Sequence, residues 1–327
     1  MSCLPVRVAF IGTGGVSGGH IKRINDNPAA QIVALCDTNR ETVRERAKLV
    51  GRRLPLYADY QAMLAKEEID AAVICTPHTL HFQQAMDCLD RGIHVLVEKP
   101  LVCTVEDGRK LIAKSEKAGK TLMVSYQRHY HPEFMWTRDA IAKGDLGKVF
   151  YISAYLSQSW ASITSSWRGR MALSGGGELM DSGSHIVDII CWLSQLDPVE
   201  VTAFVSNEFA LDEEVDILSS VCIRFSNRAI GSVCINGNAP WYERLIISGT
   251  QGTLSFGEGT RLRLPNGEYK DLPAMPAARN PDDNFIAVVQ GNEETMSPGK
   301  HALKVVQITQ AAYLSEKEKR AVRIDEL

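Results

Sequence analysis

At 327 residues the chain is long enough for two domains, and 45% hydrophobic with 23% charged residues is the composition of an ordinary soluble globular protein. A formal net charge of −3 gives no basic excess for nucleic acid and no acidic tail. No apolar stretch approaches the roughly 20 residues that span a bilayer, the first residues carry no signal-peptide pattern, and the eight cysteines form no Cys-x-x-Cys pair; a cytoplasmic protein with reduced thiols and no membrane partner is expected.

In chain order, an apolar strand over 6–11 runs into a glycine turn and a helix. A strand over 31–36 precedes a charged helix over 40–50, and a short strand over 56–57 precedes a helix from about 60 to 66. Strands over 71–75 and 93–97 are followed by helices over 79–91 and 105–118, and 122–126 is a sixth strand. Buried runs alternating with helices signal a parallel sheet covered on both faces, and right-handed crossovers make it doubly wound. Beyond 126 a helix over 132–143 leads into a turn at 144–147. Longer strands follow over 149–156, 199–206, 216–225, 229–236 and 242–248, with a helix over 182–193 among them and a last strong helix over 302–319. This pattern predicts an antiparallel sheet with a few helices. The expected organisation is a dinucleotide-binding domain over 1–126 and a substrate-binding and oligomerisation domain over 127–327.

Gly12-Thr13-Gly14-Gly15-Val16-Ser17 lies between the first strand and its helix, where a dinucleotide fingerprint belongs. The first glycine permits the tight turn, the second lets the backbone approach a pyrophosphate, and the helix amino terminus offers unpaired N–H groups. Ser17 stands at the third glycine position, although Gly18-Gly19 leaves the register open. Asp37 ends the second strand about 20 residues on, as the fingerprint expects. Its carboxylate suits two ribose hydroxyls and repels a 2′-phosphate, which favours NAD; Arg40 offsets that repulsion and leaves NADP open.

Three further motifs follow. Cys75-Thr76-Pro77 with His81 leaves the fourth strand, and Glu98-Lys99-Pro100 leaves the fifth. The run from Gly175-Gly176-Gly177-Glu178 through Asp181, His185 and Asp188 lies in the second domain. In this order and spacing the set resembles the glucose–fructose oxidoreductase and inositol dehydrogenase family, Gfo/Idh/MocA, over nearly the whole chain, including Gly249-Thr250-Gln251-Gly252-Thr253 and the terminal helix. The resemblance implies an amino-terminal Rossmann domain and a carboxyl-terminal α+β domain with a large, mostly antiparallel open sheet that often forms a dimer or tetramer interface. It also implies a sugar or polyol substrate and a catalytic trio of Lys99, Asp181 and His185.

The residue chemistry agrees with that trio. Oxidising a secondary alcohol requires loss of the hydroxyl proton as hydride leaves the same carbon; a histidine can take the proton, and a lysine cation can stabilise the developing alkoxide. Asp181, four residues before His185, is placed to orient the imidazole, with Asp188 an alternative from the other side. The competing structural reading makes Asp181 a helix cap and His185 an inward histidine. Thr76, Pro77 and His78 are expected near the cofactor with His81. Glu98 is expected to position Lys99 or to contact the nicotinamide ribose. Tyr126, Arg128, His129 and Tyr130 are candidates to reach substrate hydroxyls. Trp160, Trp167 and Arg168 sit in a Ser-rich loop over 157–174 that reads as a cover, Trp167 serving equally well as a core anchor. His129 and His131 lack a cysteine or carboxylate at ligand spacing, so no metal is expected. Two rival functions share these motifs: a glycosidase that uses NAD transiently, and a non-catalytic NAD-sensing regulator.

Overall fold

The computed structural model describes residues 4–160, 163, 165–208 and 214–327. The chain divides into two compact units. The first comprises 1–102, 107–127 and 279–300; the second comprises 103–106, 128–278 and 301–327.

In the first unit, β1 (Val6–Ile11), α1 (Ser17–Asp26), β2 (Ala30–Cys36), α2 (Arg40–Ala47), β3 (Leu56–Tyr57), α3 (Tyr60–Lys66), β4 (Ala71–Ile74), α4 (His81–Asp90), β5 (His94–Val97), α5 (Val105–Ala118) and β6 (Leu122–Val124) alternate along the chain. The strands form a parallel six-stranded sheet in the order β3-β2-β1-β4-β5-β6. This is the doubly wound Rossmann order, whose reversal between β1 and β4 leaves a crevice beyond the strand ends. The core strands are apolar on both faces because helices cover both: every residue of β4 and all but Arg7 of β1 are buried.

The second unit is built on a nine-stranded sheet. In chain order it contains α6 (Pro132–Ala142), β7 (Val149–Ser159), α7 (Met171–Ser174), α8 (Ser182–Ser194), β8 (Pro198–Ser206), β9 (Leu218–Phe225), β10 (Ile230–Asn236), β11 (Asn238–Gly249), β12 (Gly252–Phe256), β13 (Arg261–Arg263) and β14 (Tyr269–Lys270). After α9 (Pro281–Val289), which belongs to the first unit, α10 (Gly299–Glu318) and β15 (Val322–Arg323) complete it. The strand order is β14-β13-β12-β11-β7-β10-β9-β8-β15, antiparallel throughout except for β7 with β10. Period-two burial gives the sheet one covered face, with Ile152, Ala154, Val221, Ile223, Val233 and Ile247 pointing inward. Helix α8 is apolar nearly all round and buried along most of its length. Among the described residues no helix is long and apolar enough to cross a membrane.

Three features departed from the sequence reading. Strand β11 starts at Asn238, four residues before the predicted edge, and β12 to β14 extend the sheet through short hairpins that periodicity alone does not reveal. The terminal helix is followed by β15, paired with β8, and a 3-10 turn over Ile324–Glu326. Residues 279–300 fold with the first unit: Asn280 caps α9 by accepting the Asp283 N–H, Pro281 opens the helix, and Val124 N–H is bonded to the Ser297 carbonyl beside β6. The Asn-Pro-Asp-Asp start is a legible helix signal, but nothing in it says which unit the helix joins.

One buried carboxylate fixes the entry to α8. Asp216 accepts the N–H groups of Gly177 and Leu179 at 2.8 and 3.0 Å and the Tyr313 hydroxyl at 2.7 Å. The glycines are required because this loop presses on its neighbours: a Cβ on Gly177 would lie 1.9 Å from the Asp216 carbonyl oxygen, and one on Gly176 2.5 Å from the Tyr313 hydroxyl. Gly177→Ala is therefore expected to destabilise the protein by about 3 kcal/mol or more, as severe overpacking does, read as a lowered midpoint in urea. A midpoint unchanged from the parent would contradict this account of the glycine run.

Candidate functional site

In the first unit the site begins at the end of β1. Gly12 has φ +86°, and a Cβ there would meet the carbonyl carbon and oxygen of Cys75 at 2.7 Å, so only glycine fits. Around Gly14 and Gly15 a Cβ would meet nothing within 4 Å, which leaves room for a ligand to approach the backbone. Ser17 settles the register of the third position: it is buried, and its hydroxyl donates to the Gly14 carbonyl at 2.8 Å. Arg46, from α2, points its guanidinium at the carbonyls of Thr13, Gly14 and Gly15 at 3.2 to 3.4 Å. In a trans peptide the N–H faces opposite to the carbonyl. Drawing the carbonyls toward Arg46 therefore turns the N–H groups of Gly14, Gly15 and Val16 away from it. Helix α1 has no side-chain cap and no acidic residue in its first turn, so its N–H dipole is left for an anion.

Asp37 is the lateral wall of this loop. Its Oδ2 accepts the Thr13 N–H at 2.7 Å and hydroxyl at 3.0 Å, and its Oδ1 accepts the Asn39 N–H at 2.8 Å. Oδ1 keeps lone-pair capacity for a further donor, such as a ribose hydroxyl. Arg40 is exposed and, with Arg44, Val43, Leu56 and Tyr57, lines a cavity of about 270 Å³. These residues fit a dinucleotide: an open glycine cradle, a bare helix terminus and a carboxylate at the ribose position.

β4 lies beside β1, and β5 beside β4. The Thr76 hydroxyl donates to Gln84 at 2.6 Å, while Thr76 and Pro77 are partly exposed. His81 is buried with its nitrogens 2.8 Å from the Pro100 carbonyl and 3.0 Å from the Thr76 carbonyl, and burial holds its pKa below the ordinary value. The imidazole thus joins the two loops from beneath. His78 is nearly buried and meets His81 edge-on, with ring centroids 5.9 Å apart. Glu98 is buried and accepts from His20 at 2.9 Å, from the Gln127 amide at 3.3 Å and from the Lys99 N–H at 3.2 Å. Lys99 itself is partly exposed.

In the second unit Asp181 stands at the N-cap of α8 but makes no side-chain cap bond. Its Oδ2 instead pairs with Arg168, whose guanidinium stacks over Trp167 at 4.4 Å. The predicted loop residues Trp167 and Arg168 thus converge on Asp181. His185 lies one turn into α8 and is partly exposed. Ala161, Ser162 and Thr164 of the same loop lie outside the described residues, and Trp160 packs with Val215 and Ile217 as core.

Several candidates for substrate contact have partners inside the protein. Tyr126, His129 and Tyr130 are fully buried, and the Arg128 guanidinium is committed to the Glu243 carboxylate by two bonds of 2.5 and 2.6 Å. Asp188 does not orient His185 either. It accepts from the Nε2 atoms of His129 and His301 at 3.0 and 2.8 Å, and these two partners outweigh the upward push of burial to hold its pKa near about 2. His129 also stacks on Trp192 with centroids 4.2 Å apart. The ligand-type atoms of His129, Asp188 and His301 lie within 4.8 Å of one another, so the partners of His129 come from two distant helices and not from His131, which stacks on Phe134.

Arg46, His20, Asp282, Asp216 and Tyr313 were not anticipated. His20 alone had a local signal: it lies three residues after Ser17, on the same face of an otherwise apolar helix side. The others act across the fold, where spacing carries no information.

Residues 6–126 match the family model described as an oxidoreductase family with an NAD-binding Rossmann fold, and residues 134–255 match the GFO/IDH/MocA C-terminal domain. The rhizopine catabolism protein MocA of Rhizobium meliloti is 26% identical over 94% of this chain and 93% of its own. The scyllo-inositol 2-dehydrogenase (NADP(+)) IolW of Bacillus subtilis is 24% identical over 79% of each chain. Among solved structures, the WlbA dehydrogenase of Bordetella pertussis in complex with NADH and UDP-GlcNAcA is similar with a TM-score of 0.88, 25% identity and 98% coverage of both chains.

The electrostatics of the second unit give a direct test. Burial pushes the Glu178 carboxyl up to about 8, and Asp216 and Asp181 add to the push. A carboxyl whose folded pKa lies above its unfolded value costs stability as pH rises from about 4.5 through 8. Glu178→Gln is expected to leave stability at pH 5 unchanged and to raise it at pH 8.5 by on the order of 3 kcal/mol, measured by urea unfolding at both pH values. An equal effect at the two pH values would refute a protonated Glu178.

Proposed function

Because this chain belongs to the Gfo/Idh/MocA oxidoreductase family, with its NAD-binding Rossmann domain, we propose that it oxidises a carbinol carbon of a sugar, inositol or related polyol, with Lys99, Asp181 and His185 as the reacting side chains. The observation that carries this reading is the state of Asp181: buried at the mouth of α8, unused as a cap, and held by Arg168. A carboxylate needed only for the helix would cap it.

NAD, when bound, supplies the hydride acceptor. Gly12 to Val16 and the start of α1 would hold its pyrophosphate and Asp37 its adenosine ribose, with the Thr76–Pro77 and Glu98–Lys99 turns available to its nicotinamide end. Lys99 holds the substrate hydroxyl and stabilises alkoxide character as the proton leaves. His185 accepts that proton at an imidazole nitrogen. Asp181 orients the ring and balances the imidazolium, while Arg168 keeps Asp181 in place. Asp37 favours NAD over NADP, and Arg40 and Arg44 leave the phosphorylated form accessible.

The uncovered face of the nine-stranded sheet supports self-association. It presents Phe204, Tyr151, Ile230 and Tyr242 to solvent beside small neutral residues such as Ser153, Ser220 and Ser232. A homodimer or homotetramer through this face is the assembly we expect. The seven described cysteines are unpaired, which suits a cytoplasmic setting.

A panel of polyols and sugars with NAD and NADP, followed by absorbance of the reduced cofactor, is expected to yield at least one substrate, with NAD preferred. Release of free sugar without net reduced cofactor would overturn net oxidation as the function. With the substrate so found, Lys99→Ala should lower kcat by at least about 100-fold, as loss of an electrostatic stabiliser does, while NADH still binds by fluorescence titration. Unchanged turnover would remove Lys99 from the mechanism.

A further inference from the structure

His20 is completely buried in α1, and each of its ring nitrogens faces a carboxylate. Nδ1 lies 2.6 Å from Asp282 Oδ1 on α9, 262 residues away in the chain, and Nε2 lies 2.9 Å from Glu98 Oε1 at the end of β5. A neutral imidazole has one N–H and satisfies one of these acceptors; only the imidazolium satisfies both. The other oxygen of Asp282 accepts from the Arg23 guanidinium at 2.5 Å, an ion pair. The cluster then balances, with Glu98 and Asp282 against His20 and Arg23. Removing the ring's charge would leave a buried carboxylate without its cation, which is costly.

The clamp ends at a residue that bears on chemistry. Glu98 Oε1 also accepts from Gln127, and Oε2 receives the Lys99 backbone N–H. Glu98 is thus tied at both oxygens, and the peptide from which Lys99 projects hangs from it. We propose that His20, charged and braced by Asp282, is a positioning residue that sets Lys99 through Glu98. This rests on the reading of Lys99 as the residue that polarises the substrate hydroxyl.

The groups facing His20 act in the same sense. Burial alone would neutralise the ring, but Asp282 and Glu98 outweigh it and hold its pKa at about 9. Arg23 on the same helix and Lys99 beside Glu98 are the other nearby cations. Cys75, at the end of β4, stays a neutral thiol, since burial and the two carboxylates push it far up. The ring is therefore charged through the neutral range and loses its proton only as pH rises through about 9.

The test uses the full-length protein with its histidine rings labelled with ¹⁵N. His20 is expected to carry a hydrogen on both nitrogens at pH 7.5. Asp282→Asn keeps the shape and removes the charge, and should move the His20 titration down by about one to three pH units. In the same variant kcat should fall by about 10- to 100-fold, as it does when a supporting partner of a reactive group is lost, while the Kd for NADH by fluorescence stays within about threefold. The alkaline limb of the kcat profile should shift with the ring, and Asp282→Glu should recover most of the turnover, neither of which a merely structural role would produce. A single ring hydrogen on His20 at pH 7.5 overturns the proposal, and that measurement on the parent decides the charge even where the variant does not fold. An active parent whose Asp282→Asn variant keeps kcat within twofold overturns the clamp and leaves the role of Lys99 standing. A parent inactive on every alcohol, with His20 doubly protonated, overturns the role of Lys99 and leaves the charged clamp standing.

Discussion

Gly12 touches the carbonyl group of Cys75 so closely that no side chain fits between them, and this approach organises the dinucleotide unit. It packs the turn after β1 against the end of β4, where the strand order reverses. With β1 and β4 in register from Val8 with Ala71 to Ile11 with Ile74, and β4 with β5 up to Val97, the three strand ends share one edge. Glycine loop, Thr76 turn and Glu98-Lys99 turn are therefore neighbours by topology. His81 and His20 then tie these ends together with polar bonds that the apolar strands cannot supply.

Both units place charge in their interiors and answer it with charge. In the first, His20 and Arg23 stand against Glu98 and Asp282; in the second, the Asp188 carboxylate is met by the ring nitrogens of His129 and His301. Such pairs contribute little net stability compared with apolar replacements, but breaking one partner is severe. Their value here is directional: a hydrogen bond fixes orientation where dispersion contacts tolerate sliding. Asp216 works likewise without a cation, receiving two backbone N–H groups and a tyrosine hydroxyl, although burial pushes its carboxyl up.

The Rossmann half was readable because its signals are local. Apolar runs bounded by glycine and proline gave strand edges within about two residues, and Gly12 and Asp37 carry chemistry tied to fixed offsets. The antiparallel half was legible as a class, while β12 to β15 are short and their pairing depends on partners distant in sequence. The reading of residues 126–130 rested on residue types alone. Tyr126, His129 and Tyr130 look like cleft chemistry in a list of residue types, yet the interior offers His129 the carboxylate of Asp188 and the face of Trp192. Polarity in a sequence does not say whether the partner is solvent, ligand or a buried counter-charge. Arg168 shows the converse: a loop residue with no periodicity around it, found on Asp181.

The return of residues 279–300 to the first unit has a bearing on how the chain is made. That segment supplies α9, Asp282 for His20, and the Ser297 carbonyl and Pro298 beside the edge strand β6. A ribosome delivers it only after residues 128–278 have emerged. The first unit cannot close behind the polymerising chain as an amino-terminal domain commonly does. Until then its last strand has an open edge and Glu98 lacks the anion that keeps its partner charged. The dinucleotide-binding unit is thus the first begun, and its last segment is made only after the whole of 128–278.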